Sequence, residues 1–252
     1  MMKNRLVSIV LLTVMGFSFI GCQPGDPEPF FNSGVAYFQT GDTVKAVAEF
    51  NKAIRAKRSF APGYYNLGIC NLKPGAYNQA NQYFLKAVKY NPAYTDAYYS
   101  LSMVYVTLDS IPKAKEVLYL GIKHNPNASM LYYNLGYIFL LRGQADSARW
   151  AFKRVTVLDP RNSDAYFNLA YASNDLRYTQ EAIDALRLAM ETNPFNYKVL
   201  YLLGTKLADK KGRTTAETRE AVKCLETFLK SGKGVANQIE TAKEALTKVR
   251  KK

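Results

Sequence analysis

The chain has 252 residues, of which 48% are hydrophobic and 21% are charged. This composition excludes a disordered or low-complexity protein, and the length suffices for one large core or an elongated array. A single histidine and three cysteines argue against a zinc site, a disulfide framework and histidine-based acid–base catalysis. Lysine and arginine outnumber aspartate and glutamate by 34 to 20, and the net charge of +14 favours attraction to anionic surfaces.

The first residues are predicted to direct the chain out of the cytoplasm. Lys3 and Arg5 precede an apolar run over residues 6–20, which is the pattern of a secretory signal and is too short to span a bilayer comfortably. The run ends in Phe19-Ile20-Gly21-Cys22, which resembles the lipobox of bacterial lipoproteins, with Phe19 in place of the usual leucine. The resemblance implies cleavage before Cys22 and acylation of that residue. Ordinary signal cleavage, which leaves a free thiol, is the alternative.

A short tether is expected after the signal, so that residues 1–21 form the signal peptide and residues 22–29 the lipidated cysteine and tether. Residues 23–29 contain three prolines and a glycine, which predict no helix. Two or three acyl chains on Cys22 would hold the protein on a membrane. Because Gln23 is not the aspartate that retains many lipoproteins in the inner membrane, the resemblance implies a bacterial cell-envelope protein, lipid-anchored at the outer membrane and facing the periplasm.

The remainder of the chain repeats with a period of 34 residues. Prolines recur at this spacing, at Pro92, Pro126, Pro160 and Pro194. Each repeat predicts a first helix with a tyrosine, a leucine three residues later and then a small residue, as in Tyr64, Leu67 and Gly68. A second helix carries an alanine and, four residues later, a large apolar residue, as in Ala80 and Phe84. These positions resemble the signature of tetratricopeptide repeats.

The resemblance implies an all-α fold, a right-handed superhelical solenoid of about six tetratricopeptide helix pairs with a C-terminal cap helix. The six repeats are predicted over residues 30–233, with starts near residues 27, 61, 95, 129, 163 and 197. The sixth repeat has about five extra residues, 210–214, which are expected in a loop. Apolar residues at helical spacing within 234–252 predict the cap helix, which ends in a basic tail.

In this repeat family the first helices line an inner groove, and their fifth, sixth and ninth positions face the ligand. The fifth position is aromatic in every repeat here, and the sixth is asparagine in four of the six. The predicted groove residues are Phe31, Asn32, Tyr65, Asn66, Tyr99, Tyr133, Asn134, Tyr137, Phe167, Asn168, Tyr171 and Tyr201. An amide both donates and accepts hydrogen bonds, and tyrosine supplies contact area, so the pattern resembles asparagine ladders that hold extended peptides.

Two other interpretations of these positions stay open, namely packing within the repeats and contact with a folded partner. The clamp that binds chaperone tails is set aside, because it needs lysine or arginine at the groove positions, where this chain has aromatic, amide or aliphatic residues.

The basic C-terminus has a functional and a structural interpretation. Lys248, Arg250, Lys251 and Lys252 are candidates for contact with anionic lipid head groups or glycans, whereas cations at a helix end also favour the helix dipole. Cys70 and Cys224 are predicted to be small core residues, and His124 to lie at a helix end.

The motifs contain no nucleophile–base pair, phosphate-binding loop or metal-ligand spacing, so we expect no enzyme activity, catalytic residue, cofactor, metal or small-molecule substrate. A nucleic-acid partner is also not expected. The sequence instead predicts a membrane-anchored scaffold for protein–protein interaction, whose groove binds another envelope protein or an extended peptide. Its layout is similar to the pilotins of type IV pili and to adaptors that present substrates to envelope enzymes. The alternative is an envelope protein that binds an anionic glycan or lipid through its tyrosines and basic C-terminus.

Overall fold

The computed structural model describes residues 25–173 and 178–251, and over these residues the chain forms thirteen α-helices and no strand. The predicted signal peptide, Cys22 and Lys252 lie outside the described residues. No helix in the described ranges combines the length and the apolar character needed to cross a membrane. The prediction of an all-α helical repeat fold is confirmed.

The N-terminal unit ends at Val104. Its helices are α1 (Glu28–Gln39), α2 (Thr43–Ala56), α3 (Ala61–Cys70), α4 (Tyr77–Tyr90) and the greater part of α5 (Thr95–Thr107). Helix α1 packs on α2, α2 on α3, and α3 on α4, so consecutive helices from α1 to α4 are in contact. This is the contact pattern of a stacked repeat.

The second unit begins at Tyr105. Its helices are α6 (Ile111–His124), α7 (Ser129–Leu141), α8 (Ala145–Leu158), α9 (Ser163–Ala172), α10 (Thr179–Thr192), α11 (Tyr197–Asp209), α12 (Thr215–Lys230) and α13 (Ala236–Arg250). Contacts again run between sequence neighbours from α6 to α13, and α13 packs on both α11 and α12.

The first helix begins inside the segment predicted to be a tether. Helix α1 begins at Glu28, and Pro29 lies in its first turn. Proline fits this place because the first amides of a helix have no intrahelical acceptor and its fixed φ suits the helix. The prediction that residues 23–29 form no helix was therefore wrong for Glu28 and Pro29.

The close approach of the two helices in a pair depends on glycine. A Cβ atom built on Gly68 would lie 2.5 Å from a ring carbon of Phe84, which is fully buried on the second helix of the pair. The same arrangement joins Gly34 to Phe50 in the first pair. In the fourth pair, Gly136 lies in the same way against the ring of Phe152. The ring fills the space that a side chain on the first helix would need.

Alanines of the second helices are fully buried at the position predicted from the repeat. These residues are Ala46, Ala80, Ala114, Ala148, Ala182 and Ala221. In the fifth pair a buried Leu186 stands at the position of the phenylalanine, and the small residue of its first helix is Ala170 rather than glycine. Where the second helix carries leucine in place of the larger phenylalanine, the first helix thus carries alanine in place of the smaller glycine.

The extra residues of the sixth repeat, 210–214, lie in a loop, as predicted. The loop between α11 and α12 spans residues 210–214, and α12 has 16 residues where α10 has 14. Thr214 caps α12, because its hydroxyl accepts from the amide of Glu217 while the Glu217 carboxylate accepts from the amide of Thr214. This capping box begins α12 directly after the loop.

An ion-pair network joins α8 to α10. Glu181 accepts from Arg149 Nη1 and from Lys153 Nζ, each at 2.8 Å, and the Arg149 guanidinium lies 4.0 Å from the ring centre of Tyr178. Desolvation raises the pKa of Glu181, but hydrogen bonds from Lys153 and Arg149 outweigh it and lower the pKa overall. The carboxylate is therefore held in its charged form between the two cations.

The last helix covers the end of the second unit. Ala242 and Val249 are buried on one side of α13. On its exposed side, Lys248 Nζ donates to Asp209 at 2.6 Å, which links α13 to α11. Exposed pairs of this kind contribute little to stability, so the buried apolar face is what holds the helix in place.

We predict that Gly68→Ala destabilises the protein by about 1–3 kcal/mol, because the added methyl group overlaps the ring of Phe84. The free energy of unfolding, measured by guanidinium titration with circular dichroism, checks this value. On a Phe84→Leu background the same change should be neutral or stabilising by up to about 1 kcal/mol, because alanine favours helix more than glycine does. An equal loss of stability on both backgrounds would show that the overlap with the Phe84 ring is not the cause.

Candidate functional site

The aromatic residues at the fifth positions are half-buried, and four of the six pack against a phenylalanine of their own helix pair. The ring-centre distances for these contacts are 5.8 Å for Phe31–Phe50, 5.7 Å for Tyr65–Phe84, 5.5 Å for Tyr133–Phe152 and 5.2 Å for Tyr201–Phe228. Tyr99 is also half-buried. Part of each ring thus serves packing, and the remainder is accessible at the surface.

The asparagines at the sixth positions are in different environments. Asn32 is exposed on α1. Asn66 donates to the carbonyl oxygen of Pro62 at 3.0 Å, one turn back in its own helix. Asn168 donates to the hydroxyl of Tyr133 at 2.8 Å, which connects the fifth repeat to the fourth. The structure therefore does not show one uniform row of amides.

Asn134 departs furthest from the prediction, since only 3% of its surface is exposed. It lies among buried residues on α7, including Leu131 and Ile138. A buried amide needs hydrogen-bond partners inside the protein. Its place in the predicted row is therefore structural, and a bound peptide would not reach it without rearrangement of α7.

The ninth positions of the fourth and fifth repeats carry the accessible aromatic surface of the second unit. Tyr137 is 47% exposed and Tyr171 is 57% exposed. The half-buried ring of Phe167 stacks near Tyr171, with 6.5 Å between the ring centres and 27° between the planes. Exposed tyrosines that rest on a fixed neighbour offer contact area at a low cost in conformational entropy.

A cavity of about 830 Å³ lies in the second unit beside the groove positions of the sixth repeat. Tyr201, Leu202 and Thr205, which are the fifth, sixth and ninth residues of that repeat, all line it. The other lining residues come from the start of α10, the end of α11 with the following loop, and α13: Thr179, Gln180, Lys206, Asp209, Lys210, Lys211 and Thr241. Its size is within the range of ligand-binding pockets.

Lys206 is one of the lining residues that the repeat pattern did not predict. It is the tenth residue of its repeat, one place beyond the positions considered to face a ligand. Its side chain is half-buried, and desolvation lowers the pKa of its ammonium group, although the charge of Asp209 opposes this shift. The sequence does distinguish this residue, because the equivalent position is apolar in the other five repeats.

The predicted basic tail is partly occupied by internal ion pairs. Lys248 bonds to Asp209 and Arg250 bonds to Glu226, so both cations already have carboxylate partners on neighbouring helices. Lys251 is exposed. The structure thus assigns two of the four predicted anion-contact residues to the attachment of α13.

Cys70 and Cys224 are free and buried, as predicted. Desolvation raises the pKa of both thiols, and that of Cys224 to about 12. A thiol held in its neutral form is a poor nucleophile, so both residues serve as small core side chains. Within residues 25–173 and 178–251, no three His, Cys, Asp or Glu side chains are grouped to hold a metal ion.

Comparison with known protein families gives matches over several of these helix pairs. The sequence matches tetratricopeptide repeat families over residues 27–60 and 61–94, and again over 133–197, which together make up more than half of the chain. The chain belongs to the tetratricopeptide repeat family. Tetratricopeptide repeats bind peptides or partner proteins, so the fold is that of a protein–protein interaction scaffold. No curated protein matches the sequence significantly.

Solved tetratricopeptide structures share the fold at low sequence identity. PilF of Pseudomonas aeruginosa superposes with a TM-score of 0.69 at 18% identity, over 86% of this chain and 97% of PilF. YrrB, described as a TPR protein with an unusual peptide-binding site, gives 0.54 at 24% identity, over 71% and 92% of the two chains. MamA gives 0.56 at 23%, over 68% and 94%. These likenesses support the fold alone.

We predict that Asn134→Ala destabilises the protein by about 1–3 kcal/mol, because it leaves buried polar groups unpaired. Asn32→Ala, at the equivalent but exposed position of the first repeat, should change stability by less than about 0.5 kcal/mol. Thermal and guanidinium unfolding of the two variants check this. Equal stability of both variants would show that the Asn134 amide is not part of the packing.

Proposed function

We propose that this protein is a membrane-anchored tetratricopeptide scaffold of the bacterial envelope that binds an extended peptide or a partner subunit, in an assembly or adaptor role. The observation that carries the proposal is the exposed aromatic pair Tyr137 and Tyr171 at groove positions of adjacent repeats. The fold supports the scaffold role, and a scaffold needs an accessible, rigidly held contact surface.

Asn168 supports an extended peptide as the ligand. Its bond to the Tyr133 hydroxyl fixes the orientation of the amide. An amide side chain has two N–H groups and a carbonyl oxygen, so this one bond leaves hydrogen-bonding capacity for a peptide backbone. The tyrosines on either side would contact the peptide side chains without demanding a particular sequence.

The proposed anchor is the acylated Cys22. Its support is the sequence resemblance to a lipobox and the position of α1, which begins six residues later. Such a short connection would keep the repeats close to the membrane surface. An outer-membrane location facing the periplasm follows from Gln23 by the same resemblance.

Binding of an anionic glycan or lipid through the C-terminus has less support. Lys248 and Arg250 are engaged by Asp209 and Glu226, so a polyanion would have to compete with these carboxylates. Tyr137 and Tyr171, by contrast, are about half exposed and uncharged, so a partner can contact them without displacing a carboxylate.

A crosslinked pull-down from intact envelopes tests the scaffold function. We expect the wild-type lipoprotein to capture a specific protein, and the double variant Tyr137→Ala and Tyr171→Ala to lose at least about tenfold of that capture, since exposed aromatic anchors dominate binding energy. Tyr119→Ala is the matched control, because Tyr119 is 48% exposed but lies on α6, a second helix. Equal capture by the double variant and the control would move the binding surface away from the groove positions.

Lipid attachment is tested by metabolic labelling with a fatty-acid analogue, followed by membrane fractionation. Wild type should be labelled and sediment with membranes, whereas Cys22→Ala should be unlabelled and soluble, because the anchor residue is gone. Cys70→Ala should behave as wild type, because that thiol is buried. An unlabelled wild-type protein would overturn the anchor.

A further inference from the structure

Phe195 is an exposed aromatic residue in the loop between α10 and α11. It is 82% exposed, and the residues at the same place in the two preceding loops of this kind in the second unit are Asn127 and Arg161. The loop is held in place, because the side chain of Asn196 accepts from the amide of Lys198 at 3.1 Å and caps α11. The phenylalanine thus extends into solvent from a fixed turn, and packing does not account for it.

A second exposed apolar residue, Val235, lies in the loop between α12 and α13. It is 61% exposed, and it occupies the N-cap of α13 without a side-chain hydrogen bond. At α9 and α11, the preceding first helices, Asn162 and Asn196 occupy this place and accept from helix amides. Valine is among the least favourable N-cap residues, so this position also departs from what the local structure favours.

The two loops lie side by side at one end of the packed helices α11 and α12. Lys233 Nζ, in the second loop, is 5.9 Å from the ring centre of Tyr197, which follows Phe195 by two residues. The second loop is also held in place, because Gly234 has a φ of +109° and a Cβ atom built on it would lie 2.7 Å from the ring of Phe228. Both exposed apolar side chains therefore belong to the same end of the second unit.

Lysines accompany these apolar side chains. The two loops and the helix turns that adjoin them, residues 189–200 and 227–239, contain three lysines and one carboxylate, that of Glu191. The lysines are Lys198, Lys230 and Lys233, and all three are exposed. A net charge of +2 remains whichever lysine Glu191 neutralises, so this end of the unit attracts anions. It is separate from the predicted basic tail, which lies at the other end of α13.

We infer that this end of the second unit contacts an anionic lipid bilayer, with Phe195 and Val235 inserted at the interface and the three lysines at the phosphates of the head groups. Binding at a membrane interface combines buried apolar area with attraction to anionic lipids. Tyr197 adds an amphipathic ring of the kind that is enriched at head-group depth. The inference goes beyond the proposed function, because it gives the folded repeats a membrane contact of their own in addition to the proposed anchor at Cys22.

A bilayer fits this surface better than a protein partner does. A stable protein interface usually involves about 20–30 residues on each side, whereas the two loops present two strongly exposed apolar side chains and three lysines. A bilayer requires no matching shape. A lipid anchor in the same chain would also raise the effective concentration of the bilayer, so that a small contact suffices.

The test places a fluorescent reporter in the first of the two loops of the full-length protein. Trp150 is the single tryptophan of the chain, so the double variant Trp150→Phe and Phe195→Trp has its only tryptophan at position 195. The protein is mixed with phosphatidylcholine vesicles that contain either no phosphatidylglycerol or about one-third of this anionic lipid. Brominated lipids in the vesicles quench a tryptophan that enters the bilayer.

On anionic vesicles we expect the emission of the double variant to shift to the blue by about 10 nm and to be quenched at least about threefold more than on neutral vesicles. Wild type is the control, because Trp150 lies in the middle of α8, and its emission should not change. Adding Val235→Ser to the double variant should reduce the quenching by about half. The fold should remain intact, because serine is a favoured N-cap residue.

The role of the lysines is tested by changing all three to glutamine in the double variant. This change should abolish the additional quenching on anionic vesicles, because the attraction to the head groups is lost. A control variant, which should keep the additional quenching, has the same change at three exposed lysines elsewhere in the second unit: Lys211, Lys223 and Lys243.

A tryptophan at position 195 that stays unquenched on anionic vesicles would overturn the inference. Flotation with the neutral vesicles distinguishes this failure from a failure of the anchor, because acyl chains do not need anionic lipid. Equal quenching on the two kinds of vesicle, or an equal loss in the two lysine variants, would also overturn the inference. A blue shift that grows with protein concentration in the absence of vesicles would assign this surface to a second copy of the chain and overturn it as well.

Discussion

The close packing of two helices within each repeat is the constraint on which the other features of this protein depend. Gly68 and Phe84 illustrate it, because the ring occupies the volume where a side chain on the first helix would stand. In a stacked repeat each pair contacts only its neighbours, so no distant part of the chain can compensate for a poorly packed pair. The same rings also support the fifth-position aromatics, and they thereby fix where the accessible surface begins.

The features that recur every 34 residues were accessible from sequence, since each repetition strengthens the same inference. The alternation of helices, the buried alanines such as Ala114 and the burial of Cys70 and Cys224 are all of this kind. Each follows from a position whose contacts are nearly the same in every repeat. The residue type at such a position therefore indicates an environment that is common to all the repeats.

The features that differ from repeat to repeat were harder to predict. Asn134 occupies the same position as Asn32, yet the first is buried and the second is exposed, because burial depends on the neighbouring helices and not on the position alone. The capping box of Thr214 and Glu217 begins α12 in the sixth repeat, whereas α10 of the fifth repeat has no side-chain cap. The repeat pattern did not predict a role for Lys206, because the residue lies one place beyond the positions that face ligands in this family, although its charge differs from the apolar residues at the equivalent positions.

The tenth position also shows how a repeat protein of this design can change. Because each pair contacts only its neighbours, a residue can be exchanged in one repeat while the packing of distant repeats stays as it was. Lys206 in the sixth repeat is such a local exchange, and the cavity that it lines also includes Thr241 of the cap helix α13. Recognition in this architecture can therefore evolve one repeat at a time, and charged positions could be introduced at other repeats to engineer new specificities on the same framework.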